Sequence, residues 1–511
     1  MSKASALKST SIIMILTIVS KVTGLFRDVL TASAFGTTYE TDAYSMALII
    51  PAFIFSILGS AITTTFIPML SDIVKKSGKK SMYWFANNVM TILMAFTVIL
   101  SILGIIFAPE IVGVIAPKFT GETYILTVLL AKIAMINLLF MSLNSGFTAI
   151  LQTLGDFTAP AILGIVVNIP IIIYIMLGNT FGIYGLTVVT VIGNLLQVLV
   201  QLPWLFKNEY KYRFAFDLKD TKLKQLMILI VPVVIGTGVN QINSMIDKIL
   251  VSGLPEGSIT ALGYASKLNT IAYGIFAVAV VTVVYPLLSK EGMNTDRSMF
   301  KEYISKAITN ISLIIIPATI GIMILSTPLI KIIFERGAFD VESVNMTSYA
   351  LIFLSISAPF MGIRDVLNRA FYSLQDTKTP MKNGILGVIV NIILNVILVR
   401  FMGIGGLALA TSISAIFTTV LLYFNLRGRI GGIISRDAKS DIKKISVASI
   451  IMALLTYGFY KFIAQSVINS IILILVSTVV LGATIYGVLI IILKPRVTVE
   501  IIMRVMWRFK I

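Results

Sequence analysis

The chain has neither cysteine nor histidine among its 511 residues. The first absence excludes disulfides, thiol nucleophiles and iron–sulfur clusters. The second removes the side chain that most often carries protons at neutral pH and most often binds metals. A zinc enzyme and a histidine proton relay are disfavoured on that ground alone. Charge is scarce as well: Asp, Glu, Lys and Arg make up 13% of the residues, apolar residues 57%, and mean hydropathy is +0.97. Apolar runs repeatedly exceed the roughly 18 residues that mark a membrane helix. The composition therefore predicts an all-α polytopic membrane protein. Its first apolar run flows into charged helical sequence without a small-residue cleavage site, and reads as a retained span.

Bases outnumber acids, giving a net charge of +18. In a membrane protein the distribution of that charge carries more than its sum. Basic residues collect in alternate loops: Lys75 to Lys80, Lys207 to Lys224, Lys290 to Lys306, Arg427 to Lys444 and the tail from Lys494. The loops between hold few, such as Lys118, Lys331 and Arg336, so the positive-inside rule predicts both termini in the cytoplasm. These lysines are spread over separate loops without interleaved aromatics, which argues against nucleic acid as a partner.

With spans of about 20 to 30 residues the chain divides into about fourteen transmembrane helices. They fall near 10–35, 42–70, 83–114, 121–153, 159–178, 182–205, 223–252, 258–288, 300–333, 342–374, 381–401, 404–426, 441–463 and 467–493. Pro51, Pro170, Pro232 and Pro317 lie inside spans, as packing kinks or as hinges. An internal repeat orders the set. Leu154-Gly-Asp156, Pro160 and Gly164 recur 220 positions later as Leu374-Gln-Asp376, Pro380 and Gly384, and Tyr44 recurs as Tyr264 by the same shift. Ile67-Pro-Met-Leu-Ser71 recurs as Tyr285-Pro-Leu-Leu-Ser289. The expected organisation is two parallel six-helix lobes, 1–206 and 223–428, joined by a cytoplasmic linker at 207–222 and followed by a helix pair and basic tail at 429–511. An even number of spans per lobe makes the repeats parallel, and transporters built this way bind cargo between halves that rock against each other.

Charges are sparse within the spans, and those that stand out are Lys21, Arg27, Asp28, Lys132, Asp247, Lys248, Lys267, Arg364, Asp365 and Arg369. Burying the seven cations among these against lipid would cost on the order of 20 kcal/mol, so most must see water or carboxylates. A cationic cavity points to an anionic cargo. Lys248 lies near a helix end and can snorkel, and Arg364 with Asp365 suits a structural ion pair. Lys21 and Arg27 are six positions apart, about 120° from a common face at 100° per residue, so bringing them together needs a kink at Gly24 or a cavity that wraps around the helix.

Ser20-Lys-Val-Thr-Gly-Leu-Phe-Arg-Asp28, Thr41-Asp-Ala-Tyr44, Phe66-Ile-Pro68, Tyr264-Ala-Ser-Lys267, Gly337-Ala-Phe339 and Phe371-Tyr-Ser-Leu-Gln-Asp-Thr-Lys-Thr-Pro380 together resemble the MurJ (MviN) lipid II flippases of the multidrug/oligosaccharidyl-lipid/polysaccharide exporter superfamily. The resemblance covers nearly the whole chain. It implies a non-enzymatic, monomeric flippase of the bacterial cell (inner) membrane that moves undecaprenyl-diphosphate-linked peptidoglycan precursor to the outer leaflet by alternating access. It also implies a groove for the undecaprenyl tail along the last two helices.

By the same resemblance, Lys21, Arg27, Asp28 and Lys267 match the family's helix 1 and helix 8 charges and would engage the diphosphate, with Arg364 and Arg369 as further candidates. Lysine offers a point charge where arginine offers a bidentate fork, so Lys21 and Lys267 retain attraction with less geometric selectivity. The stretch Pro51-Ala-Phe-Ile-Phe-Ser56 lacks an arginine found in many relatives, and Ser266 stands where an aspartate is common. These departures resemble a divergent, Gram-positive-type branch.

In some relatives a sodium ion sits among helices 7, 11 and 12, and the similar positions here are Asp247, Asn391, Asn395 and Thr411. A structural pair of Asp247 with a lysine explains the aspartate equally well, and membrane potential, at about 2.3 kcal/mol per charge per 100 mV, is the simpler driver. The rival cargo is another lipid-linked polysaccharide repeat unit. A drug or cation antiporter fits less well, because bases outnumber acids in the spans. An enzyme acting on polyprenyl phosphates would need clustered acids, whereas Asp156 and Asp376 read as isolated turn or cap residues.

Overall fold

A computed structural model describes residues 3–292, 294, 296–464 and 470–499. Its regular structure is helical throughout, with no strand among the described residues. Each expected span is largely helical over its described residues, positions 467–469 of the last lying outside them, and among the described residues ten helical stretches are long and apolar enough to cross a membrane. One of these, Tyr39–Ile106, runs for 68 residues, about 100 Å at 1.5 Å per residue and far more than one bilayer. It turns at Gly78, whose φ of +76° a side chain would disfavour, between the basic pairs Lys75, Lys76 and Lys79, Lys80.

Several spans are built from two shorter helices, and in three of them a proline explains where they divide. Thr158–Val166 is followed by Asn168–Met176, Ser298–Ile324 by Ser326–Phe334, and Val341–Ser355 by Ser357–Ser373. In each case the first helix ends four residues before a proline: Pro170, Pro328 and Pro359. A proline cannot donate to the carbonyl four residues earlier and its ring crowds it. Short polar side chains then take up nearby carbonyls. Asn168 Nδ2 donates to Gly164 O at 2.7 Å, and Ser357 Oγ donates to Leu354 O at 2.6 Å. Pro51, Pro232 and Pro317, in contrast, sit inside unbroken helices.

The chain forms two compact units, Met1–Thr260 with Arg336–Phe339, and Ala261–Glu335 with Asp340–Ile511. In the first, Ile67–Ile106, Asn137–Thr153 and Gly182–Lys207 enclose a core that includes Phe66, Phe85, Met90, Phe147 and Tyr210. The helix Thr221–Val251, expected to open the second lobe, packs within this first unit against Tyr39–Ala61. In the second, Ser298–Ile324, Ser357–Ser373 and Ile404–Ile430 gather around Phe300, Ile308, Leu367, Phe371 and Leu422. The terminal pair Arg436–Ala464 and Ile471–Leu493 leans on Ser298–Ile324, where Tyr486 Oη donates to Leu313 O at 2.7 Å. The segment that follows is fastened by the buried Asp441, whose carboxylate accepts from Arg496 N and Val497 N at 2.9 and 3.1 Å.

The repeat seen in the sequence is repeated in hydrogen bonds. Gly155 N donates to Gln152 O and Asp156 N to Leu151 O, and 220 positions on, Gln375 N donates to Tyr372 O and Asp376 N to Phe371 O. Both are Schellman ends, which need a left-handed residue. Gly155 supplies it at φ +84°, whereas Gln375 is forced to +59°. Gln375→Gly is expected to raise stability by roughly 0.5–1 kcal/mol and Gly155→Gln to lower it by a similar amount, read as shifts in thermal unfolding of the purified protein.

Asp376 starts the next helix. Its Oδ1 accepts Thr379 N at 3.0 Å, its Oδ2 accepts Thr379 Oγ1 at 2.7 Å, and Arg429 pairs with it. The Thr379 amide foremost, then its hydroxyl and Arg429, hold this carboxyl below the usual carboxylate range. A lowered value means that the stabilisation is complete at neutral pH and disappears as pH falls through the lowered value. Asp376→Asn is therefore expected to unfold earlier than the parent at pH 7, with the gap closing well below the ordinary carboxylate value of about 3.9.

Candidate functional site

The helix Lys3–Phe35 runs unbroken through Gly24, so the 120° between Lys21 and Arg27 is not relieved by a kink. Lys21 is exposed, Arg27 half-buried and Asp28 buried. Arg27 donates from Nη2 and Nε to Asp28 Oδ1 at 2.8 and 3.2 Å, an ion pair between chain neighbours. Its Nη1 donates to Asn168 Oδ1 at 2.9 Å. Asn168 is buried at the proline-induced break, and its Nδ2 is engaged by Gly164 O. The helices approach closely here because Gly164 has no side chain: a Cβ would collide with Ser20 Oγ. Tyr44 has its hydroxyl 2.8 Å from Thr190 Oγ1. The first unit thus holds a guanidinium oriented by an acid and a neutral amide.

The second unit carries its own cations. Lys267 is exposed on the helix Ser258–Glu291, with Nζ 5.6 Å from the Tyr264 ring centre, and Tyr264 in turn lies against Phe334. Arg369 is exposed with its guanidinium 4.8 Å from the Tyr285 ring, a cation–π arrangement. Arg364 and Asp365 are both half-buried, and Asp365 accepts a hydrogen bond from Tyr273, a partner not foreseen for it.

The suggested cation ligands divide between the units: Asp247 is in the first, and Asn391, Asn395 and Thr411 are in the second. Asn391 and Asn395 do share a helix face. Both are buried, and Asn395 Nδ2 donates to Asn391 Oδ1 at 3.1 Å. Thr411 Oγ1 donates to Leu407 O at 3.1 Å.

An apolar cavity of about 540 Å³ lies between Ser298–Ile324 and the terminal pair, where a lipid-tail groove was expected; Pro317, Gly321, Met452, Thr478, Gly482 and Tyr486 are among its walls. Asp156 Oδ1 accepts Thr158 N at 3.1 Å and so behaves as a cap, like Asp376. Asn168 and Tyr273 went unremarked in the sequence, and Tyr285 was noted there only as part of the repeat. The signal for Asn168 was an amide two positions before a proline in an otherwise apolar run.

A model of the family described as lipid II flippase MurJ matches residues 31–477. The chain belongs to the MurJ family. It is 31% identical over 439 residues to the probable lipid II flippase MurJ of Vibrio cholerae, covering 82% of each chain, and 32% identical over 454 residues to the lipid II flippase MurJ of Thermosipho africanus, covering 89% of this chain and 91% of that one. Its fold is similar to that of a lipid II flippase MurJ in an inward closed conformation, with TM-score 0.80, 31% identity and coverage of 93% and 97%. An inward-facing multidrug resistance MATE family transporter of the MOP superfamily shares the fold at TM-score 0.66, with 14% identity and coverage of 83% and 98%. Membership of the MurJ family together with ten membrane-length apolar helices makes this a multi-pass inner-membrane protein.

Proposed function

We propose that the chain carries lipid II, the undecaprenyl-diphosphate-linked peptidoglycan precursor, from the cytoplasmic to the outer leaflet by alternating access, without chemical change to the cargo. The observation that carries this reading is Arg27, a guanidinium on a membrane helix held in place by Asp28 and Asn168, in a chain of the MurJ family. A fixed guanidinium suits a diphosphate, which can take two parallel N–H···O bonds from it. Lys21, Lys267, Arg364 and Arg369 would add attraction, and the apolar cavity along the terminal pair would shelter the polyprenyl chain.

The carrier is read as a monomer with both termini in the cytoplasm, following the alternation of basic loops. Sodium is a candidate coupling ion through Asp247, Asn391, Asn395 and Thr411; membrane potential acting on the charged carrier is the simpler driver. Asp156 and Asp376 accept the amides of Thr158 and Thr379 at the starts of the helices that follow them, in keeping with turn or cap roles.

The test is depletion of the chain in its own cells while newly made lipid II is scored by its susceptibility to an externally added lipid II-degrading enzyme. Lipid II should become protected on depletion and accessible again on re-expression. Unchanged access in cells without a redundant flippase would move the cargo to another polyprenyl-linked glycan.

A further inference from the structure

Asn168 has two hydrogen-bonding ends, and the structure commits each to a different task. Its Nδ2 is 2.7 Å from Gly164 O, the carbonyl four residues earlier in the same span, and 3.5 Å from Thr23 Oγ1. That fixes the amide so that Oδ1 faces the first helix, 2.9 Å from Arg27 Nη1. The side chain is buried, with 4% of its surface exposed. Its reach is short, and it spans the gap because Gly164 lets the two helices come together: a Cβ on Gly164 would strike Ser20 Oγ. On the other side, the Val167 carbonyl presses on Gly193, where a Cβ would sit 2.7 Å from it.

We infer that Asn168 is a positioning residue for anion recognition: it orients the Arg27 guanidinium without neutralising it. Asp28 already holds the Nε and Nη2 edge of the guanidinium and cancels much of its charge. A second carboxylate on the Nη1 edge would leave an acid-rich site with little attraction for a phosphate. A neutral acceptor fixes the plane of the fork and leaves the charge balance unchanged, which is what a site for a doubly charged, bidentate ligand requires. The inference rests on the reading that the cargo is a polyprenyl diphosphate.

The test is a double-mutant cycle on the full chain in lipid nanodiscs, with binding measured for two probes, lipid II and undecaprenyl diphosphate lacking sugar and peptide. The proteins are wild type, Asn168→Ser, Arg27→Lys and the double variant. A serine hydroxyl can still bond Gly164 O, so the span keeps its internal hydrogen bond, but it cannot reach Arg27. Asn168→Ser should weaken binding of a probe about five- to tenfold in the wild-type background. In the Arg27→Lys background, where no Nη1 exists, it should change binding less than twofold.

Equal losses in the two backgrounds would mean that Asn168 acts by holding the helices, and would overturn the inference. So would an unchanged affinity of Asn168→Ser. If Asn168→Ser failed to accumulate, Asn168→Ala in the same cycle supplies the comparison. A wild-type chain that bound undecaprenyl diphosphate but not lipid II would defeat the proposed cargo while the cycle on the smaller probe still decides the role of Asn168. Binding of neither probe would overturn both.

Discussion

Arg27→Ala is expected to abolish lipid II export in cells that depend on this chain, with newly made lipid II staying protected from an external degrading enzyme as fully as in depleted cells. Two effects add. The cargo loses the oriented guanidinium, and the buried Asp28 loses the cation at 2.8 Å. Removing one partner of a fully buried pair costs roughly 3–5 kcal/mol; with Arg27 only half-buried the cost here is smaller, yet the single variant still strains the fold. The double variant Arg27→Ala/Asp28→Ala separates the two effects, because it removes the acid with the base. It should accumulate in the membrane and unfold close to the parent temperature, yet remain without transport. Arg27→Lys should keep part of the activity, since the ammonium retains the charge and loses the fork. Transport by the double variant near the parent rate would remove Arg27 from the mechanism.

How much of this was legible in the sequence differs sharply between spans and site. The helices could be read because burial in lipid requires long apolar runs, and those are continuous in sequence. Arg27 and Asp28 stood out for the complementary reason, as charges where charge is costly. The repeat was readable as Leu154-Gly-Asp156 against Leu374-Gln-Asp376, and the shared Schellman bonds give it a structural cause. What could not be read were pairings between distant neutral groups. Asn168 meets Arg27 from 141 positions away, and no periodicity marks an amide. Tyr273 meets Asp365 across 92 positions, whereas sequence proximity suggested Arg364 as its partner. The packing of Thr221–Val251 within the first unit was equally hidden, because a repeat boundary is a covalent property and a compact unit is a property of contacts.

The largest loss of stability from a single residue without a cargo role is expected at Asp42. It is buried, with 3% of its surface exposed, and its carboxylate accepts three hydrogen bonds from the start of Ser258–Glu291: Gly257 N to Oδ2 at 2.8 Å, and Thr260 N and Thr260 Oγ1 to Oδ1 at 2.9 and 2.8 Å. An anionic cap at a helix N-terminus satisfies donors that have no partner inside the helix and complements the helix dipole. Gly257 makes the approach possible at φ +81°, where a Cβ would collide with the Thr37 carbonyl. Asp42→Ala would leave buried donors without an acceptor and should cost roughly 2–4 kcal/mol, given that single bonds to a charged group contribute about 1.5–3 kcal/mol. Asp42→Asn keeps the shape and one acceptor oxygen but not the charge, and should fall between. The same helix carries Lys267, so export should decline with stability along the series parent, Asn, Ala. Thermal unfolding of the purified variants gives the first axis and accessibility of lipid II in cells the second. If Asp42→Ala unfolded with the parent, the carboxylate would not be what anchors the start of this helix, and the close approach at Gly257 would have to hold it by packing alone.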